Sequence, residues 1–350
     1  MSKNLLIITP GFPKDESDDT CIPALQIYLK ALLGSQYFDN IMVVSVYYPI
    51  TAKTYFWHSV KVVALGHSQK TFFSRAFSPF MLSTKISNLV KAFPLDLIHS
   101  FWINQTAILG NMLSKKFKVP HIATTMGQDV FFTKKLKYLI DSEKLKLIAV
   151  SEFQKEKSSM KVNEVIHWGV EEHHETEVNS IRAIDVIGVG SLIDLKQFDV
   201  FLEVIQKIRK VKPDIKVVIV GDGPEREKLL DKVKRLRLEE NVILVGQKSR
   251  LEVLSIMRQS KVLLHTSRFE SFGMVFVEAL NAGMYTLSER VGIAGEHEKC
   301  IVVSGKHEMA EQLVLLLNNK MWNFPKEPAF SVQNTLEGYL DCYNKALKKT

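Results

Sequence analysis

Twelve short runs rich in β-branched residues, separated by helical patterns, constrain this chain more than any other feature. The first half holds NLLIIT (4–9), IMVVSVY (41–47), KVVAL (61–65), DLIHS (96–100), HIATT (121–125) and KLIAV (146–150). The second half holds AIDVIGVGSL (183–192), KVVIVGDG (216–223), NVILVGQ (241–247), KVLLHTS (261–267), MYTLSE (284–289) and CIVVSG (300–305). Continuous apolar runs joined by helix-length connections describe parallel strands covered on both faces. Twelve are too many for one small sheet. Between the two sets lies EEHHETEVNS (171–180), a polar stretch without hydrophobic period that reads as a linker. The expected fold is therefore α/β, with two Rossmann-like doubly wound parallel-sheet domains, 1–175 and 180–330, facing each other across a cleft. Ligands of such sheets bind beyond the carboxyl ends of the strands. The tail SVQNTLEGYLDCYNKALKKT (331–350) is expected as a separate amphipathic C-terminal helix.

Composition narrows the class. With 46% hydrophobic and 24% charged residues the chain reads as a soluble globular protein. No apolar run approaches the roughly 18 residues of a membrane span. The start, MSKNLLIITPGFP, reads as a first strand rather than a signal peptide. Cys21, Cys300 and Cys342 lack metal spacing and are expected as reduced thiols in a cytoplasmic protein. The net charge of +8 gathers in KKFK (115–118) and KKLKYLIDSEKLK (134–146). This is a solvated basic face, or a surface for an anionic substrate or for peripheral contact with the anionic inner face of a membrane. Nucleic acid is not expected, because no basic motif is interleaved with aromatics.

The segment RFESFGMVFVEALNAG (268–283) carries the chemistry. KVLLHTS is a strand, SRFESFG a turn, and GMVFVEALNAG a helix closed by Gly283. Gly273 permits a tight turn and close approach to a ligand. The amides of Gly273, Met274 and Val275 are the unpaired donors of the first helical turn, and with the helix dipole they form an anion site suited to phosphate. Glu278 is the only charge in MVFVEALNA. A carboxylate buried there needs a partner. Two readings stay open: it accepts a vicinal diol such as a ribose, or it pairs with a nearby Lys or Arg. Glu270, before the helix, is either a ligand group or a simple cap.

These pieces stand in a familiar order. VGSLIDLKQFDVFL, VVIVGDGPEREKL, NVILVGQ and FESFGMVFVEALNAG together resemble the retaining glycosyltransferases of family 4, which have the two-Rossmann GT-B fold. ITPGFP, DLIHS, TTMGQDV and AVSEF resemble their N-terminal half more loosely. The resemblance implies a nucleotide-diphospho-sugar donor, expected to be UDP-linked, and a glycan or lipid-linked acceptor in surface polysaccharide or glycolipid assembly. It implies that Glu270 holds hydroxyls of the transferred sugar and that Phe272, Gly273, Met274 and Val275 meet sugar and diphosphate. Glu278 would bind the ribose, Lys196 would neutralise the diphosphate, and Gly246 and Gln247 would border the base. Gly11 would approach the diphosphate from the other domain, and Asp129 would sit on the acceptor side near the reacting sugar.

No cofactor or metal is expected. No Asp-x-Asp stands at a strand end, DESDD (15–19) reads as a solvated loop, and the helix N-terminus with Lys196 replaces a metal. The family is discussed as front-face attack with retention, the phosphate oxygen taking the acceptor proton. Two departures matter. Ser191 stands where the family often has an arginine, which removes a bidentate phosphate partner. Met126 stands where a histidine is common in the T-x-H-G-x-D element. A non-catalytic nucleotide-sugar-binding protein on the same fold is the alternative; an epimerase is disfavoured because it lacks this E-x7-E arrangement. His99 and His121 read as structural histidines, Asp222 as a turn former, and TFFSRAFSPFMLSTKISNLVKAF (71–93) as a core-facing helix or an interfacial segment.

Overall fold

The computed structural model describes residues 3–67, 72–91, 93–136, 138–140, 145–171, 182–318 and 328–348. The expected linker falls almost wholly outside them, as do His173 and His174. The chain forms two units, Met1–Glu171 with Ser331–Thr350, and Glu172–Phe330.

In the first unit eight strands form one sheet: β1 (Asn4–Gly11), β2 (Asn40–Tyr48), β3 (Lys53–Trp57), β4 (Val60–Ala64), β5 (Leu97–Phe101), β6 (His121–Thr124), β7 (Leu145–Ala149) and β8 (Glu164–Val165). Their order is β3-β4-β2-β1-β5-β6-β7-β8. All neighbours are parallel except β3 and β4, which form a hairpin whose first strand no apolar run announces. The chain winds outward from β1 through β2 and then returns to β5, so the topological switch lies between β1 and β5. Leu6, Ile8, Val44 and Ile98 face Leu82 and Ile86 of the helix Phe72–Leu89, so this helix contributes to the core; Phe80 and Met81 on it are exposed.

In the second unit six strands form a fully parallel sheet: β9 (Ile184–Val189), β10 (Val217–Val220), β11 (Val242–Leu244), β12 (Ser260–His265), β13 (Tyr285–Ser288) and β14 (Cys300–Val302). The order β11-β10-β9-β12-β13-β14 puts the switch between β9 and β12. Phe198, Phe201, Leu202 and Ile205 of the helix Phe198–Arg209 pack on one face with Leu229, Leu264 and Leu313.

The C-terminal helix, Val332–Leu347, is no appendage to the second unit: it is built into the first. Its buried face carries Leu336, Tyr339, Cys342 and Tyr343. Tyr339 packs at 4.8 Å from Tyr28 and 5.3 Å from His99, ring centre to ring centre. The Tyr343 hydroxyl bonds both the Tyr28 hydroxyl at 2.6 Å and His99 Nδ1 at 2.7 Å. Spacing alone shows which residues of this helix are apolar, but not which sheet they seek.

Candidate active site

At the switch of the second sheet two loops are stitched together. After β9 the chain makes a short turn through Asp194–Lys196. After β12, the Thr266 hydroxyl donates to the Lys196 and Gln197 carbonyls at 3.0 and 2.9 Å, and the Arg268 amide donates to the Leu195 carbonyl at 3.0 Å. This brings Lys196 and Glu270 together over 74 residues of sequence: Lys196 Nζ donates to Glu270 Oε1. His265 Nε2 lies 3.0 Å from the same oxygen. Burial pushes the Glu270 carboxyl up, but the His265 hydrogen bond and the Lys196 charge more than offset it, so it stays below the usual carboxylate range. Glu270 is thus no helix cap. His265 is the last residue of β12, buried edge-on to Phe276 at 4.8 Å. Sequence reading passed over it, although its place at a strand end just before the acidic loop was a usable signal.

The helix Met274–Asn281 starts behind this pair. Gly273 is its N-cap with φ 83°, and no side chain caps it. A Cβ at Gly273 would stand 2.5 Å from the Phe276 ring, so the close turn admits no larger residue. Gly273, Met274 and Val275 remain partly accessible. The backbone around Phe272 is fixed from the other side, its carbonyl accepting from the Ile293 amide at 3.0 Å, and its ring is buried. The helix closes with Gly283 at φ 74°.

Glu278 has the kind of basic partner that the second of its two readings expects. Its Oε1 lies 3.4 Å from Nε of Arg250, a residue at the start of the helix Arg250–Arg258. The pair is loose: the Arg250 side chain is 42% exposed, and burial still holds the Glu278 carboxyl above the usual range despite the guanidinium. The carboxylate is therefore partnered but under-satisfied.

The glycine loops after β9, β10 and β11 abut. A Cβ at Gly221 would stand 1.9 Å from the Gly190 carbonyl oxygen, so only glycine fits, and the Gly221 amide donates to the Gly246 carbonyl at 2.9 Å. Gln247 and Ser191 are exposed on these loops. Asp222 accepts from the Gly223 amide at 2.8 Å and shapes its own turn.

The first unit bears on three expectations. Gly11 ends β1 at the switch of its sheet, but it is buried among Tyr48, Cys21 and Ile22 and offers no open backbone to a ligand. Asp15, Glu16 and Asp19 of the acidic loop are exposed, as expected of a solvated loop, whereas Asp18 is buried and accepts from the Tyr48 hydroxyl at 2.9 Å, organising that loop. Asp129 is buried too. Its carboxylate accepts from the amides of Ile103 at 2.6 Å, Gly127 at 2.5 Å and Met126 at 3.2 Å, so it ties the loop after β6 to the loop after β5 instead of presenting itself to a sugar. Trp102, at φ 70° in that second loop, is a strained residue that sequence reading missed. His99 and His121 are buried, hydrogen-bonded and held neutral by burial, as structural histidines.

Burial raises the Asp129 carboxyl from 3.8 to about 6 against the pull of those amides. A raised folded-state value means that this contribution to stability is full below the unfolded value and is lost as pH rises through about 6. Asp129→Asn lacks the titration. The stability advantage of wild type over the variant is expected to shrink by about 2–2.5 kcal/mol between about pH 4 and 7, read from urea unfolding at both. An advantage independent of pH would refute it.

A groove of about 340 Å³ in the first unit lies elsewhere, at the amino ends of β2 and β4 beside Leu33, Phe38, Asn40, Lys61 and Phe93. It is at the wrong end of the sheet for the chemistry.

Residues 170–326 match the family described as glycosyl transferases group 1, and residues 40–155 match the glycosyl transferase 4-like family. The chain belongs to the family 4 glycosyltransferases. It is 29% identical over 259 residues to an uncharacterized glycosyltransferase of Methanocaldococcus jannaschii, covering 67% of this chain and 68% of that one. It is 32% identical over 110 residues to one subunit of the human phosphatidylinositol N-acetylglucosaminyltransferase, covering 31% of this chain but only 23% of that protein. The match to several curated relatives thus spans about a quarter of their length. Among solved structures, a sucrose-phosphate synthase from Thermosynechococcus elongatus superposes with TM-score 0.77 at 16% identity, over 99% of this chain and all of the other. Anabaena HepE in complex with UDP superposes with TM-score 0.72 at 16% identity, over 98% of this chain and all of the other. These structures establish the GT-B fold for this glycosyltransferase. No helix among the described residues is long and apolar enough to cross a membrane.

Proposed function

We propose that this glycosyltransferase moves a sugar from a nucleotide-diphospho-sugar, UDP-linked, to a glycan or lipid-linked acceptor, without a metal and with retention at the anomeric carbon. The observation that carries the reading is the apposition of Lys196 and Glu270 at the switch of the second sheet, beside the uncapped helix N-terminus at Gly273. Breaking a glycosyl–phosphate bond builds negative charge on the leaving diphosphate. An ammonium group and a helix N-terminus meet that charge without a metal ion. In this reading Lys196 turns from Glu270 to the diphosphate when the donor enters, and Glu270 takes sugar hydroxyls while His265 holds its other contact. Uridine as the base is supported by the UDP complex of HepE. N-acetylglucosamine recurs in the names of the relatives and is the first sugar to test. With a lipid-linked acceptor the enzyme works at a membrane surface.

Titration calorimetry with UDP, ADP and GDP tests the donor. UDP is expected to bind most tightly, with Glu278→Gln weakening it and Arg250→Ala leaving Glu278 free to take the ribose. If Glu278→Gln leaves UDP affinity unchanged, Glu278 serves only its pair with Arg250. The second reading, nucleotide-sugar binding without catalysis, draws on Ser191 and Met126. UDP binding with no turnover of any UDP-sugar, with or without acceptor, would favour it.

A further inference from the structure

Beside the glycine loops at the carboxyl ends of β9, β10 and β11 stands a guanidinium with nothing to hold. Arg226 opens the helix Arg226–Arg235, just after the GDGP turn. Its backbone is fixed: the Glu225 amide donates to the Leu192 carbonyl at 3.0 Å and the Arg226 amide to the Gly223 carbonyl at 3.1 Å. Its side chain is half-buried, and Nη1 is fully buried without a hydrogen-bond partner among the described residues. The acids nearest in sequence are engaged elsewhere, Glu225 with Lys228 at 2.7 Å and Asp222 with the Gly223 amide at 2.8 Å. A buried donor left unpaired is costly, and a charged one more so. The ligand-free protein therefore holds a site that is complete only when an acceptor oxygen arrives.

The place of this donor narrows the ligand. Gly246, after β11, has φ 76°. Apart from its chain neighbours, Nη1 of Arg226 is the sole atom of the described residues within 4 Å of where a Cβ at Gly246 would stand, at 4.0 Å. That side of Gly246 is open, and its left-handed backbone lets a flat ring approach closely. In the order β11-β10-β9-β12, Gly246 ends two strands away from the loop of Lys196, about 10 Å along the sheet at the usual strand spacing. Arg250, four residues beyond Gly246, reaches Glu278 on the helix Met274–Asn281. A row thus runs from Arg226 and Gly246 past Glu278 to Lys196, in the order base, ribose, phosphate.

We infer that Arg226 selects the nucleobase of the donor, its guanidinium donating to a carbonyl oxygen of a uracil ring seated against Gly246. This rests on the nucleotide-sugar donor of the proposed function and adds the residue that reads its base. The diphosphate is a poor match for the same donor, because Lys196 and the helix start at Gly273 stand two or more strands away. Uracil carries two carbonyl oxygens. Adenine carries none and places an amino donor where uracil has O4, so two donors would face each other. A site built around a buried donor rejects a ring that cannot accept from it, since the wrong ring leaves that donor unpaired. The long arginine stem lets the guanidinium turn to the ring, and its planar fork suits a carbonyl edge.

The test is titration calorimetry of the full chain with UDP, ADP and GDP, in wild type and Arg226→Met, which keeps the length of the stem and removes its donors. Arg226→Met is expected to weaken UDP by about tenfold or more and ADP by no more than about twofold, so that the preference for UDP over ADP disappears. Equal losses for UDP and ADP would give Arg226 to the diphosphate, and unchanged UDP affinity would leave it a bystander. A wild type that binds GDP or ADP more tightly than UDP would exclude uracil. Each of these overturns the inference. Thermal unfolding without ligand is the control for folding. The variant is expected to melt at the same temperature as wild type or higher, because it sheds a buried unpaired charge. A lower midpoint would make Arg226 a structural residue and overturn the inference as well. Failure of wild type to bind any of the three nucleotides would refute the donor reading itself, and this result shows before any substitution is made.

Discussion

Lys196→Ala is expected to lower kcat/KM for the UDP-sugar by about 10²–10³, the loss typical of one preorganised group facing charge on a leaving group. Glu270→Ala is expected to fall as far, for a different reason: it removes the contact to the transferred sugar and leaves Lys196 without its partner in a partly buried site, where each side chain is less than a quarter exposed. Because the two groups touch, their losses will not add. The double variant should be about as slow as the slower single one, whereas independent contributions would multiply to about 10⁴ or more. Stopped-time assays of UDP release, with wild type and the three variants at saturating acceptor, decide this. Unchanged turnover in both single variants would remove the switch point of the second sheet from the chemistry altogether. An additive double variant would keep both residues but break the picture in which one hands the other over to the donor.

Removing residues 331–350 is expected to unfold the first unit. The helix buries Tyr339 and Tyr343 completely and covers Tyr28, Trp168 and Phe101. Losing even two such aromatics costs about 3–5 kcal/mol each, a large share of the roughly 5–15 kcal/mol that holds a domain together. Calorimetry of the truncated chain should show one transition, from the second unit, where wild type shows the first unit as well. Tyr343→Phe is the finer probe. It keeps the ring but leaves the Tyr28 hydroxyl and His99 Nδ1 without their partner, which costs about 1–3 kcal/mol for each buried group left unpaired. A truncated chain that unfolds as wild type does would show that the helix merely decorates a core complete without it.

All twelve apolar runs are strands, because continuous β-branched stretches have no favourable solution except burial on both faces of a parallel sheet. The hairpin strand β3, KTYFW, and the two-residue β8 escaped that reading because each sits at a sheet edge, where half-exposed residues leave no apolar run. The stretch from Glu270 to Gly283 was legible for the same kind of reason: a capless helix start after a glycine and a lone charge in an apolar helix are local features, written within one turn of each other.

The sequence by itself determined the two α/β units, the helix behind Gly273, and the glycosyltransferase family. Tertiary structure alone decided what each carboxylate is bonded to. Glu270 meets Lys196 and His265, Glu278 meets Arg250, and Asp129 turns inward to three amides, since these partners come from other strands and loops. It also decided that the last helix belongs to the first unit. The physical reason is the same throughout: periodicity and propensity act over a few residues, whereas the partner of a buried charge or an apolar face is set by which distant segments the sheet topology brings side by side.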